Sequence, residues 1–113
     1  MYDLREHKEL ISRLVSEANQ NDENWRWSVK SVGKTKARIF WSYLEYCGQP
    51  EPYFVIELED TGDGYWIHAL DERDSYIESE IVVDNDLPFL NCPLDKAIEK
   101  MVRCIINTAH ACY

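Results

Sequence analysis

A chain of 113 residues has room for one ordinary domain and not for two independent cores. With 45% hydrophobic residues, including four Trp, seven Tyr and three Phe, it holds the material for a packed core, which excludes wholesale disorder. The formal net charge of −9 disfavours docking on nucleic-acid phosphates or an anionic membrane, and no run approaches the ~20 apolar residues of a spanning helix.

Residues 3–20 predict an amphipathic helix. Leu4, Leu10, Ile11, Leu14, Val15 and Ala18 recur at three- and four-residue steps, and Asp3 with Glu6 three residues on fits a capping box. Charges alternate along MYDLREHKEL where a signal peptide would be apolar, so a cytoplasmic location is expected. The polar run Asn19–Asn24 stops the helix.

From Trp25 the period changes to two. Trp25, Trp27 and Val29 alternate with Arg26, Ser28 and Lys30, the pattern of a half-buried strand, and Gly33-Lys34 supplies a hairpin turn. The next strand spans 36–46, with Ala37, Ile39, Trp41 and Tyr43 on one side and Phe40, Leu44 and Tyr46 on the other. Two prolines in Cys47–Pro52 end it, because proline cannot continue a ladder.

A third strand covers 53–60, with Phe54, Ile56 and Leu58 inward and Glu57 and Glu59 outward. The turn Asp60-Thr61-Gly62-Asp63-Gly64 leads to a fourth strand, 65–70. A second acidic turn, 71–75, opens a fifth strand over 76–83. Ile77, Ile81 and Val83 there are expected inward and Glu78 and Glu80 outward. After an irregular loop from Asp84 to Cys92, Pro93 suits the start of a helix running to 111, with Leu94, Ile98, Met101 and Ile105 on a broad apolar stripe.

The order predicts a single α+β domain, α-β-β-β-β-β-α. Its sheet is an antiparallel five-stranded meander, with the N- and C-terminal helices packed on one face.

Charge is unevenly distributed. Residues 45–95 carry fourteen acids and one base, Arg73, whereas residues 1–44 carry six acids and eight bases. Such a block favours basic partners. With Arg26, Lys30, Lys36 and Arg38 on the first two strands and Glu57, Glu59, Glu78 and Glu80 on later ones, the exposed sheet face is expected to run from positive to negative. The acidic docking residues expected are Glu57, Glu59, Glu78 and Glu80, with Asp71, Glu72 and Asp74 at one sheet end. Phe40, Trp41 and Tyr43 offer an apolar interface if the chain is a homodimer.

Catalytic and metal chemistry find little purchase. Asp60/Asp63, Asp71/Asp74 and Asp84/Asp86 are paired carboxylates in tight turns, but the alternating acids, central Gly and distant Glu of a calcium loop are missing. Aspartate in turns ordinarily bonds its own backbone. Cys92, Cys104, Cys112 and His110 lack zinc-ligand spacing, so neither metal nor cofactor is expected. Cys47, His68 and Asp71 could be assembled into a nucleophilic triple, but no local pattern brings them together. Cys104 reads as a small hydrophobe within the last helix.

Two resemblances bear on function. The stretch Phe54-Val55-Ile56-Glu57-Leu58-Glu59-Asp60 through Gly64-Tyr65-Trp66-Ile67 resembles the opening hairpin of HicB-type antitoxins, although their Pro-Asp-Leu-Pro-Gly does not follow. Terminal helices around a twisted antiparallel sheet are similar to secretion chaperones that dimerise, which implies a homodimer. The function expected is that of a small, acidic, non-enzymatic interaction module binding a basic protein partner, as an inhibitor, antitoxin-like factor or mimic of nucleic-acid charge. The alternatives are a homodimeric chaperone or structural subunit, and a small enzyme using Cys47 or His68.

Overall fold

The computed structural model describes residues 2–20, 25–43, 53–62, 64–82 and 93–112. The expectations placed on Leu44, Tyr46, Cys47, Asp63, Val83, Asp84, Asp86 and Cys92, and on the loops containing them, lie outside the described residues.

A single turn of 3-10 helix, Leu4–His7, runs into helix α1, Lys8–Gln20. Asp3 caps this start as expected, but its carboxylate accepts from the Arg5 amide at 2.9 Å, while the Glu6 amide of the expected capping box bonds the Asp3 carbonyl at 3.2 Å. Strands β1 (Trp25–Val32), β2 (Lys36–Tyr43), β3 (Tyr53–Asp60), β4 (Tyr65–Leu70) and β5 (Tyr76–Val82) follow, then helix α2 (Leu94–Cys112). The strands form one antiparallel sheet in the order β1-β2-β3-β4-β5, the expected meander.

Both helices lie on one side of the sheet, with α1 against β1 and α2 against β3, β4 and β5. The reason is visible in the strands. Trp27, Ala37, Ile39, Trp41, Phe54, Ile56, Leu58, Ile67 and Ala69 all point to that side and are buried. From α1 they receive Ile11 and Val15, and from α2 Ile98, Met101, Val102 and Ile105. At about 25 cal/mol per Å² of apolar surface withdrawn from water, this interleaving is the main stabilising term of the fold.

Polar devices fix the pieces in register. Asn19, near the end of α1, donates to the Trp27 carbonyl at 2.8 Å and accepts from the Trp27 amide at 2.6 Å, acting as one rung of ladder on the outer edge of β1. Leu4 donates its amide to the Lys34 carbonyl in the β1–β2 turn at 2.9 Å, tying the N-terminus to that hairpin. The Asp60 carboxylate accepts from the Gly62 amide at 2.8 Å, and Gly62 takes the positive φ of 87° that the β3–β4 turn requires. In the β4–β5 turn the Asp71 carboxylate accepts from the Arg73 and Ser75 amides, and Asp74 sits at φ 60°. Pro93 precedes α2 and supplies the carbonyl for its first helical bond, from Ala97.

Strand β5 departs from the expected phase. A bulge between Ala69 and Leu70 on the β4 side pairs Tyr76 with Leu70 and Glu78 with Ala69, leaving Ile77 as the extra residue. From there Glu80 pairs with the core residue Ile67, and Val82, fully buried, pairs with Tyr65. Glu78 and Glu80 therefore lie on the helix side, and Ile81 points outward at 46% exposure. This reverses the expected placement of both glutamates and of Ile81. The bulge shifts the alternation by one residue: Ile77, expected inward, still packs against the core with Val82, while Lys100 of α2 reaches Glu80 between them.

Candidate functional site

The sheet side opposite the helices is the place to look, because no described helix or strand lies over it. Strand register identifies its occupants. From β1 and β2 come Arg26, Ser28, Ser31, Lys36, Arg38 and Phe40, with Lys30, the extra residue of a bulge between Val29 and Ser31, placed there by its contact with Phe40; from β3, Tyr53, Val55, Glu57 and Glu59; from β4 and β5, Trp66, His68, Leu70, Tyr76, Ser79 and Ile81.

His68 is its hub. Although on the open side, it is only 7% exposed, since cross-strand neighbours close over it. Its Nδ1 lies 2.7 Å from the Ser79 hydroxyl, directly opposite on β5, and its Nε2 lies 2.8 Å from Glu59 Oε2, one step along β3. The His68 ring lies nearly parallel to Trp66, with centroids 6.1 Å apart, and 4.7 Å from the Tyr76 ring. The imidazole satisfies both nitrogens in either protonation state: Nε2 donates to Glu59, while Nδ1 accepts from Ser79 or donates to it. Around this hub stand Trp66, 38% exposed, Tyr76, 63% exposed, and Ile81, which pairs directly with Trp66. Trp66 and Ile81 adjoin on one side of the His68–Ser79 pair and Tyr76 stands beside Leu70 on the other, so exposed apolar groups flank the histidine at both ends.

Glu59, His68 and Ser79 have the connectivity of an orienting carboxylate, a base and a nucleophile. Chemically the imidazole can take the Ser79 hydroxyl proton. Acyl transfer also needs a donor where the oxyanion would form. The nearest such group, the Ser79 amide, is held at 3.0 Å by the Glu78 carboxylate, which places negative charge where the oxyanion would need positive.

The β1–β2 half of the same side is basic. The Lys30 ammonium sits 5.6 Å from the centre of the Phe40 ring, and the Arg38 guanidinium lies 6.0 Å from that of Tyr53. Phe40 and Tyr53 pair across β2 and β3 with centroids 5.5 Å apart. Lys36 reaches Glu57 at 3.9 Å where the basic and acidic halves meet. The positive-to-negative gradient thus holds across β1, β2 and β3.

The expected docking residues separate into three groups. Glu57 and Glu59 share the open side, as expected. Glu78 and Glu80 do not: they belong to the helix side, where Glu80 pairs with Lys100 of α2. Asp71, Glu72 and Asp74 form the β4–β5 turn at the sheet end beside Tyr76, with Asp71 committed to its own backbone. Of the apolar trio, Phe40 lies on the open side, half-buried. Trp41 does not qualify, being 4% exposed in the core against Trp27. It belongs to the inward set of β2 because it alternates with Phe40. Tyr43 ends β2 opposite Trp25. Reasoning from sequence undervalued Trp66, Ile81 and Ser79; the signal available was the facing of aromatic and β-branched residues across consecutive strands.

Between β5 and α2 runs an open groove of about 670 Å³, whose lining includes Glu78, Lys96, Glu99, Lys100, Arg103 and Cys104. Its charges are largely internally matched, with Glu99 bridging Lys96 and Arg103. Among the described residues, no cluster of three or more His, Cys, Asp or Glu is arranged to hold a metal ion, and no helix is long and apolar enough to cross a membrane. No protein-family model, curated protein or solved structure matches this chain.

Proposed function

We propose that the chain is a non-enzymatic interaction module whose working surface is the acid-bearing half of the open sheet face, and that it docks a protein partner through basic residues. One observation carries this: Trp66 and Ile81 on one side, and Tyr76 on the other, stand exposed about a buried histidine, flanked by Glu57, Glu59 and the Asp71–Asp74 turn. An apolar centre within a charged rim is the anatomy of a protein interface, and the sign of the rim selects a basic partner and speeds its encounter. Glu78 and Glu80 drop out of this surface. In this reading the Glu59–His68–Ser79 relay is a positioning device that holds the aromatic patch in place. A cytoplasmic setting, with Cys104 as a free thiol, accords with it.

Affinity capture from the native source at low and high salt tests the reading, comparing the parent chain with Trp66→Ser and with the pair Glu57→Gln, Glu72→Gln. A basic protein held by the parent at low salt should be lost by Trp66→Ser and released at lower salt by the glutamine pair. Equal capture by all three removes this face from consideration. Labelling of Ser79 by a fluorophosphonate would instead turn the relay into a nucleophile and overturn the non-enzymatic reading.

A further inference from the structure

Charge is divided across this sheet more sharply than the net value suggests. The β1–β2 hairpin, residues 25–43, carries five bases and no acid. The β3–β5 stretch, residues 53–82, carries nine acids and one base. One folded sheet is therefore a lateral dipole, and the surface most complementary to its acidic half is its own basic half.

We infer that the partner docked on the open face is a second copy of this chain, packed face to face about a two-fold axis that runs along the strands between β2 and β3. The inference rests on the reading of the acid-bearing half as a docking surface, and it names the occupant.

The register gives this arrangement its specificity. Such an axis lays β2 of each copy over β3 of the other, and β1 over β4. Lys36 pairs with Glu57 across β2 and β3, so the same level of the sheet brings Lys36 of each copy over Glu57 of the other. One level on, Arg38 of each copy lies over Val55 of the other, and at the level after that Phe40 and Tyr53, also directly opposite, stack reciprocally. Beyond Lys36, the β1–β2 turn with Lys34 covers Glu59 and Trp66. At the other end, Arg26 lies over the acidic β4–β5 turn. Lys36, Lys34 and Arg26 each meet an acid, and Arg38 alone of these bases meets an apolar residue. An axis turned by ninety degrees within the face would set β1 on β1 and basic on basic, which charge repulsion disfavours.

Face-to-face sheets with strands aligned to within about 30° are an ordinary packing. Four overlapped strands at ~4.8 Å and about seven residues at ~3.3 Å give a patch of roughly 19 by 23 Å per copy, on the order of 900 Å² in all. That is the scale of a weak, salt-sensitive association, so dimerisation belongs in the micromolar range at low salt.

Sedimentation equilibrium at low and high salt, on the parent chain and two charge-reversed variants, decides the matter. Lys30→Glu with Lys36→Glu sets an acid of each copy over Glu57 of the other; Glu57→Lys with Glu72→Lys sets a base of each copy over Lys36 of the other. The parent should dimerise at low salt and dissociate at high salt. Each variant alone should self-associate at least tenfold more weakly, and an equimolar mixture of the two should recover a mixed dimer. Circular dichroism and thermal melts establish that both variants are folded. A parent chain that stays monomeric at 100 μM protein and low salt overturns the inference, and so do variants that dimerise as well as the parent. Titration of the same monomer with an alternating Lys-Val peptide, followed by Trp66 fluorescence, separates the two failures. Binding there leaves the docking reading standing with another occupant, and its absence removes both. Retardation of a poly-dT oligonucleotide by a monomeric parent, abolished by Lys30→Glu with Lys36→Glu, would overturn the inference in favour of nucleic acid on the basic half.

Discussion

The two sides of the sheet carry similar side chains held by different means. Towards the helices, Trp27, Trp41 and Phe54 belong to one buried cluster with isoleucines, valines and Met101. On the open side Phe40, Tyr53, Trp66 and Tyr76 lean on titratable groups: Lys30 over Phe40, Arg38 over Tyr53, His68 between Trp66 and Tyr76. The first arrangement is sealed and derives its stability from exclusion of water. The second is a thin layer, one side chain deep, organised by hydrogen bonds and ring–charge contacts. Strand period alone does not separate the two sides. What separates them is the company each aromatic keeps along and across the strands.

The comparison can be broken most directly with two isoleucines on opposite sides of the sheet. Ile67, fully buried, and Ile81, 46% exposed, stand on adjacent strands. Replacing Ile67 by Ala should lower unfolding free energy by about 3 kcal/mol in a urea titration, because a cavity opens where the helices cannot collapse. The same replacement at Ile81 should change it by less than ~1 kcal/mol. Equal losses would mean that the open side is sealed after all.

His68→Ala sharpens the contrast at an intermediate level. It leaves Glu59 and Ser79 without their shared partner and removes the plate between Trp66 and Tyr76, so a loss of about 2 kcal/mol is expected. An altered near-ultraviolet spectrum of Trp66 should accompany it. A loss without any spectral change at Trp66 would show that the histidine does not organise the patch.

The smallest effect concerns neither side of the sheet. Asp3, fully engaged by the Arg5 guanidinium and amide, has its carboxyl lowered from 3.8 to about 2, chiefly by the side-chain hydrogen bond from Arg5. Because the folded value is depressed, its contribution is present above about 3.8 and disappears as pH falls through about 2. Acid titration of the parent and of Asp3→Asn should diverge at higher pH and converge in this window, followed by helix content. Parallel curves throughout would remove the cap from any acid-sensitivity of the fold.

Much of this architecture could be read from the residues alone. The β3 and β4 limits and the division of β2 into two sides follow from strict alternation and from glycine- and aspartate-rich turns, whose physics is local. Strand β5 could not be read that way. Its phase depends on one extra residue opposite Ala69, and a bulge leaves no periodic trace in seven residues. The site suffered the same error, since two of its four expected glutamates sit on that strand. Trp41 was misjudged for a different reason: alternation says that Phe40 and Trp41 face opposite ways, but only the helices determine which way is in. The burial of His68 depends on three strands meeting at one level, a relation that exists in register and not in sequence.

The bulge in β5 has a consequence for how the molecule avoids its own copies in the wrong geometry. Strand β5 is an outer strand of the sheet, and an outer strand is where another extended chain could pair. Removing Ile77 would leave Tyr76 opposite Leu70 and Glu78 opposite Ala69 as they are now, and would straighten the ladder. A straight outer strand is a template for strand-by-strand growth. Against that stand the spare isoleucine, which bends the edge, and Glu78 and Glu80, which would face each other across a two-fold pairing of β5 with itself. Ile77, itself packed against the core, thus irregularises the outer strand, and Glu78 and Glu80 put charge along it, two features of the kind that discourage edge-to-edge pairing.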